Sequence, residues 1–563
     1  MKTVALIAMA VAVASVPALG KPRLDLICRA LGPDIRSVSD AAKCNPHFRV
    51  HPAPPPGSYV GTPGDDHFVG KYGDDDFDMS QGGNDRVAGR GRYDYFYFGA
   101  AFNAKDRING GGNLDSLAIG GDYSAGITFG PLTLRGVEEV DMYGSLYGGG
   151  SYSLTLDDAT VASGSYLRAY LLDSETENDF LDFDASKETD GDIFVQSLAA
   201  GTDHLVGGGG NDYLNPGRIV NDVVDGGGGW NVVSFTSAGQ AVRISLFLQG
   251  QPQDAGGGHQ ITLDNIRGLR GSPRSGDVLI GNDLGNWIDT NGGDDSVQAN
   301  GGDDLILIDD YVAYTAVTAD GGSGIDTLSF EDSTVSGVTF SLALQGTAQA
   351  TGEGGTVTAT NFENLVGSDD FNDSLTGDSR SNQLFGGGGD DTLSGGDGND
   401  ILYGDALYQR NFSDRGKIGM SGFRIRESGS GRDTLDGGAG DDRLIGGAGA
   451  DLLAGGTGAD TFAYEAVSDS PPGSGNRDII ADFSRAEADK IDLERIDADM
   501  TKAGNQPFHL GGSSFTGSPG ELIQFPDGNG HTIVAGDVNG DGVADVEIEL
   551  SQAVSLTGSD FVL

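Results

Sequence analysis

Residues 437–463 read GGAGDDRLI GGAGADLLA GGTGADTFA, three consecutive copies of one nine-residue unit. Glycine stands at places one, two and four, aspartate at place six and a large apolar residue at place eight. Glycine takes tight turns and lets backbone carbonyls crowd together with no Cβ between them. The last three places make a very short strand, whose apolar centre points to one side while its neighbours point to the other. One such unit cannot bury its apolar residue alone, so copies must stack. Two units predict one turn of a coil, and successive turns close parallel strands over an apolar column that includes Leu393, Leu402, Leu444, Leu453 and Phe462. The expected fold class is all-β: a parallel β-roll, or β-solenoid, of Gly/Asp nonapeptides.

The unit recurs outward from this stretch in both directions. Full copies offer Gly207, Gly208, Gly210 and Asp212, then Gly321, Gly322, Gly324 and Asp326. The densest run supplies Gly386, Gly387, Gly389 and Asp391, and directly after it Gly395, Gly396, Gly398 and Asp400. The opening stretch supplies Gly437, Gly438, Gly440 and Asp442, then Gly446, Gly447, Gly449 and Asp451, then Gly455, Gly456, Gly458 and Asp460. Degenerate copies add Asp66, Asp75, Asp85, Asp295, Asp304, Asp373 and Asp433, whereas Asn231, Asn286 and Asn382 leave the place without charge. Calcium takes roughly six to eight hard oxygen ligands at flexible angles, mixing carboxylates with carbonyls, so Gly/Asp loops suit it better than zinc. Carboxylates repeated this closely would repel one another in a metal-free stack. Several Ca²⁺ ions are therefore the expected cofactor.

The bulk composition agrees. The 563 residues hold 95 glycines, and 84 acidic against 34 basic residues give a net charge of −50. Such a surface repels nucleic acid and attracts divalent cations. Residues 1–20 have a basic start, an apolar run and small residues at the end, the pattern of a removable export signal, and the run is too short for a membrane span. No transmembrane segment is expected after its removal. Cys28 and Cys44 could form one local disulfide or stay free.

The nonapeptides resemble the hemolysin-type calcium-binding repeats of the repeats-in-toxin family. That resemblance implies Ca²⁺ held by the carboxylates at place six with carbonyls of the adjoining glycines. The end of the chain resembles the flanking module of serralysin-type metalloproteases, through DIIADF (478–483), DKIDL (489–493) and AGDVNGDGVADVEIEL (535–550). It implies a cap on the roll, and Ser559–Leu563 resembles the tail of type I secretion substrates. Asp537, Asn539, Asp541, Gly542 and Asp545 match early places of an EF-hand loop, but Ile548 stands where a Glu is wanted, and a hairpin turn reads equally well.

The expected organisation is an export signal at 1–20, the cysteine pair and a proline-rich linker at 21–58, and a first repeat block at 59–98. A degenerate β region at 99–206, a second repeat block at 207–330 and a β connection at 331–366 follow. The main β-roll occupies 367–464, interrupted by a basic insertion at 404–427 read as a surface loop, and the C-terminal module occupies 465–563, with strand-like and short helical signals. No H-E-x-x-H and no G-x-S-x-G occurs, and the His47/His51 pair lacks the Glu of a zinc protease. The expected function is a secreted, extracellular calcium-binding protein that folds on meeting Ca²⁺. It would be structural, adhesive or surface-associated, with a cell surface, a matrix or its own copies as partner. The alternative is an exported hydrolase with a catalytic region hidden in 99–366.

Overall fold

The computed structural model describes residues 58–144, 150–172, 179–308, 314–333, 335–352, 355–408, 425–427 and 431–563. The export signal, the cysteine pair, the proline cluster and the His47/His51 pair lie outside the described residues. Contacts divide the chain into two compact units. One holds the residues up to Ala238 with His259–Asn265, and the other holds Gly239–Gly258 with Ile266–Leu563. The described residues contain no α-helix, and none of them forms a helix long and apolar enough to cross a membrane.

In the first unit the strands Tyr59–Val60, Asp76–Asp78, Tyr95–Gly99, Ser116–Gly120, Glu139–Tyr143, Tyr166–Leu172 and Asp192–Ser197 pair in parallel, in chain order. Between them the chain returns through other rows, including His67–Val69, Arg86–Ala88, Arg107–Asn109 and Leu134–Arg135, again parallel. In-register stacking repeats one side chain along the coil: the rings of Tyr59, Phe77 and Phe96 lie 4.8 and 5.0 Å apart, close to the strand spacing itself. Residues 99–206 contribute strands to these same rows. Their turns are longer, with strand partners up to 29 residues apart, as for Tyr152 and Leu181, which is why the nine-residue period fades there.

The second unit shows the two-repeat turn directly. Leu375, Leu393, Leu435, Leu453 and Ile480 stand in register on one row, and Leu384, Leu402, Leu444, Phe462 and Ile491 on another. All ten are at most 1% exposed. Burying each such side chain stabilises the fold by about 1.5–3 kcal/mol.

Two sequence expectations need correction. The insertion is not a loop between repeats, because Gly404 and Asp405 already belong to the roll: their N–H groups donate to the carbonyls of Ile445 and Gly446. The chain leaves as an antiparallel pair, Ala406–Tyr408 against Ile425–Glu427, and resumes the same nonapeptide at Gly431. Second, the helical signals near 477–496 yield no α-helix. Asp478–Ile480 and Lys490–Asp492 extend the two parallel rows, and only then does an antiparallel hairpin, Glu521–Pro526 with Thr532–Asp537, pack beside Val546–Leu550.

Candidate metal centre

The place-six residues form ladders along the turns. In one column of the second unit the backbone N–H of Asp373 donates to Asp391 Oδ1 (2.8 Å), Asp391 to Asp433 (2.8 Å), Asp433 to Asp451 (2.9 Å) and Asp451 to Asp478 (2.9 Å). In the other, Asn382 donates to Asp400 (2.7 Å), Asp400 to Asp442 (2.7 Å), Asp442 to Asp460 (2.9 Å) and Asp460 to Asp489 (3.1 Å). Each carboxylate thus spends Oδ1 on the turn before it.

The second oxygen is what distinguishes the candidates. Oδ2 of Asp295, Asp304, Asp326, Asp391, Asp400, Asp433, Asp442, Asp451 and Asp460 is buried and makes no hydrogen bond. A buried polar atom left so costs about 1–3 kcal/mol, more when charged. Beside Asp326, Asp391, Asp400, Asp433 and Asp442 the place-one glycine leaves open a space that a carbonyl oxygen of another turn also borders. A Cβ on Gly395 would sit 2.3 Å from Asp400 Oδ2 and 2.6 Å from the Gly437 carbonyl oxygen, and one on Gly386 2.3 Å from Asp391 Oδ2 and 2.7 Å from that of Gly404. Carboxylate and carbonyl oxygens from adjoining turns therefore converge, with no nitrogen or sulfur ligand among them. That donor set fits a hard divalent cation such as Ca²⁺.

Without a cation, burial pushes these carboxyls far up: Asp433 to about 9, Asp295 and Asp304 to about 8, and Asp326, Asp391, Asp400 and Asp451 to about 7. The neighbouring charges add to the shift. For Asp433 they are Asp451, Asp391 and Asp405, all of like sign.

Other predicted ligands are placed differently. Asp212 Oδ2 accepts the Gly208 N–H (2.6 Å), and Asp75 Oδ2 that of Lys71 (2.5 Å). Asp66 is held by Thr62, and Asp373 by the backbone and hydroxyl of Ser368. Asp85 sits in its ladder through Oδ1, which accepts from Asp66 (2.9 Å). Sequence reading missed Asp94 and Asp115, whose Oδ2 atoms are also buried without a hydrogen bond, and the ladder residues Asp478 and Asp489. The signal for the last two lies in the strings RDII and DKID, each an aspartate two places before an apolar residue.

The EF-hand-like segment is a hairpin turn. Asp537 accepts from the N–H groups of Asn539 (3.2 Å), Gly540 (2.6 Å) and Gly542 (2.9 Å), and Asp545 from Val538 (2.8 Å) and the Asn539 amide (2.9 Å). A separate group, Asp527, His531 and Glu549, brings three ligand atoms within 4.8 Å of one another. There Glu549 is already held by Arg477 (2.6 Å) and by His531 Nδ1 (2.6 Å).

The family described as Peptidase M10 serralysin C terminal matches residues 383–563. The RTX calcium-binding nonapeptide repeat matches 199–218 and 280–307. The chain thus carries calcium-binding nonapeptide repeats and a serralysin-type C-terminal module, both typical of extracellular proteins exported by type I secretion. Among solved structures it is similar to the AlgE6R3 subunit of the Azotobacter vinelandii mannuronan C5-epimerase, at 26% identity over 34% of this chain and 79% of that one, with a TM-score of 0.21. The AlgE6R2 subunit of the same enzyme shows 25% identity over 33% and 89%, at 0.18. The extracellular lipase LipA from Serratia marcescens shows 18% over 51% and 40%, at 0.19. No curated protein matches significantly.

Proposed function

We propose that this chain is a secreted protein whose β-roll is completed by several Ca²⁺ ions outside the cell, and that it serves an adhesive or surface-associated role. The observation that carries the reading is the set of nine buried Oδ2 atoms without a hydrogen bond, five of which, on Asp326, Asp391, Asp400, Asp433 and Asp442, border a space shared with a carbonyl oxygen of another turn. The ligands would be place-six carboxylates with carbonyls of the adjoining glycines, and the strongest candidates are Asp391, Asp400, Asp433, Asp442, Asp451 and Asp460. Asp295, Asp304 and Asp326 would form a second group. Bound Ca²⁺ would supply the positive charge that these oxygens lack. In a compartment poor in calcium the aspartate columns oppose stacking, so binding free energy becomes folding free energy. Most strands of residues 99–366 are further parallel turns in each unit, which favours a scaffold over a hidden catalytic block.

The test is far-ultraviolet circular dichroism of the purified chain, titrated with Ca²⁺ after chelation and with Mg²⁺ as control. A cooperative gain of β signal with Ca²⁺ alone is expected. A chain fully folded in chelator and indifferent to Ca²⁺ would sink the folding-switch reading.

A further inference from the structure

We infer that the outer face of the row formed by His67–Val69, Arg86–Ala88, Arg107–Asn109 and Leu134–Arg135 is a docking groove for an extended acidic polysaccharide. His67, Arg86 and Arg107 stand directly in register on adjacent parallel strands, so their side chains leave the same side of the sheet about 4.8 Å apart. Arg135 pairs with Asn109, two residues further along the same face. These five residues are exposed, while Val87 and Ile108 between them are 3% and 1% exposed and point into the core. With Leu132, 42% exposed, they line a groove of about 230 Å³.

Charge is what makes this groove distinctive. In a chain of net charge −50, several arginines elsewhere are spent on carboxylates: Arg443 on Asp492 (2.8 Å), Arg477 on Glu547 and Glu549 (3.0 and 2.6 Å), Arg485 on Asp560 (2.9 Å), whereas here unpaired arginines stand side by side on adjacent strands. Arg86 and Arg107 make no ion pair among the described residues, and Arg135 donates only to the Pro131 carbonyl (3.2 Å). Like charges directly opposite on neighbouring strands destabilise a sheet, and an anion laid along the row would reverse that penalty. Screening over about 8 Å at physiological salt lets the local row, rather than the total charge, decide what approaches.

The shape of the row selects the partner. A membrane or a nucleic acid would press many negative charges against the acidic surroundings, whereas a polysaccharide in single file touches only the basic line. Guanidinium forks match carboxylate or sulfate in bidentate fashion. Asn109 and His67 can bond sugar hydroxyls, and Leu132 offers apolar surface to a ring face. The inference rests on the adhesive reading above and gives that reading a ligand class.

Binding of the full chain to immobilised polygalacturonate (carboxylate) and heparin (sulfate) tests it, with dextran as neutral control, by biolayer interferometry in Ca²⁺ and again in chelator. Circular dichroism of each sample first establishes whether it is folded, so failure of the calcium switch is seen separately from failure of the groove. Arg86→Glu with Arg107→Glu should weaken binding to at least one polymer tenfold or more. Arg218→Glu with Arg243→Glu, an equal charge change at exposed sites off the groove, should change it less than twofold. Equal losses in both double variants, unchanged binding in the first, comparable binding to dextran, or a preference for poly-glutamate over both polymers would overturn it.

Discussion

Glycine is required at three places of the repeat for two different reasons. At places two and four the backbone demands it: Gly438 has φ 103° and Gly440 φ 138°, values that side chains rarely adopt. At place one the requirement is space. A Cβ on Gly437 would lie 2.5 Å from Asp442 Oδ2 and 2.6 Å from the Gly455 carbonyl oxygen. Gly437→Ala is therefore expected to destabilise the roll by about 1–3 kcal/mol, as overpacking does, and to raise the Ca²⁺ midpoint for folding. Gly475→Ala, with nothing within 4 Å of its new Cβ, should stay within about 0.5 kcal/mol. Chemical denaturation of both variants in Ca²⁺ checks the pair. The same two reasons explain which candidate carboxylates are legible in the sequence. Where both turn places are glycine the aspartate is plain, but Asp94 and Asp115 were hidden because Arg90 (φ 95°), Arg92 (φ 74°) and Asn113 (φ 80°) occupy turn places in the left-handed region. Asp66 and Asp373 read alike in the sequence, but there Thr62 and Ser368 donate hydroxyls to the Oδ2 that stays without a hydrogen bond in Asp391 or Asp400.

The split repeat shows what an element-level reading adds. The ladder step from Asp373 to Asp391 spans 18 residues, while that from Asp391 to Asp433 spans 42 and yet keeps the same geometry. The roll counts structural places, not residues. Gly404 takes place one of the Asp433 repeat, since its Cβ would meet Asp433 Oδ2 at 2.2 Å, and Gly431 takes place four. Sequence reading treated the basic insertion as a spacer between repeats because a nonapeptide cut after its second residue leaves no contiguous pattern. Removing residues 407–430 would join Gly404-Asp405-Ala406 to Gly431-Arg432-Asp433 and restore an unbroken unit. The shortened chain is expected to fold with an unchanged or lower Ca²⁺ midpoint, because loop closure becomes less costly. Loss of calcium-dependent β signal in that deletion would show the hairpin to be part of the roll rather than a decoration on it. The coil itself was legible because one turn is two short repeats. The rows through 99–206 were not, since their longer turns carry no fixed period.

At the scale of the whole molecule the aspartate columns link stability to pH with an unusual sign. Most carboxylates of a folded protein are more acidic than in the unfolded chain, and their contribution is lost as pH falls. Here the interior carboxyls lie on the other side of their ordinary 3.8: Asp460 and Asp373 at about 6, Asp391 and Asp400 at about 7, Asp304 at about 8 and Asp433 at about 9, all chiefly through burial. The metal-free folded state therefore binds more protons than the unfolded chain across this range. Its stability is fully present below the unfolded value near 4 and is lost progressively as pH rises through about 6 to 9. Paired groups such as Asp560, held below its ordinary value by the Thr557 backbone and by Arg485 at 2.9 Å, act with the opposite sign and only at the acid end. In chelator, thermal melts should show a higher midpoint at pH 5 than at pH 8. Calcium competes with those protons for the same oxygens of the folded state, so its affinity for the folded chain should rise over the same interval; Ca²⁺ added to chain already folded at pH 5 should release protons into weakly buffered solution, whereas folding of the ionised unfolded chain by Ca²⁺ at pH 8 should release none. A metal-free midpoint that increased from pH 5 to pH 8 would mean that the columns are ionised and screened by solvent, and would remove the electrostatic reason for a calcium-driven roll.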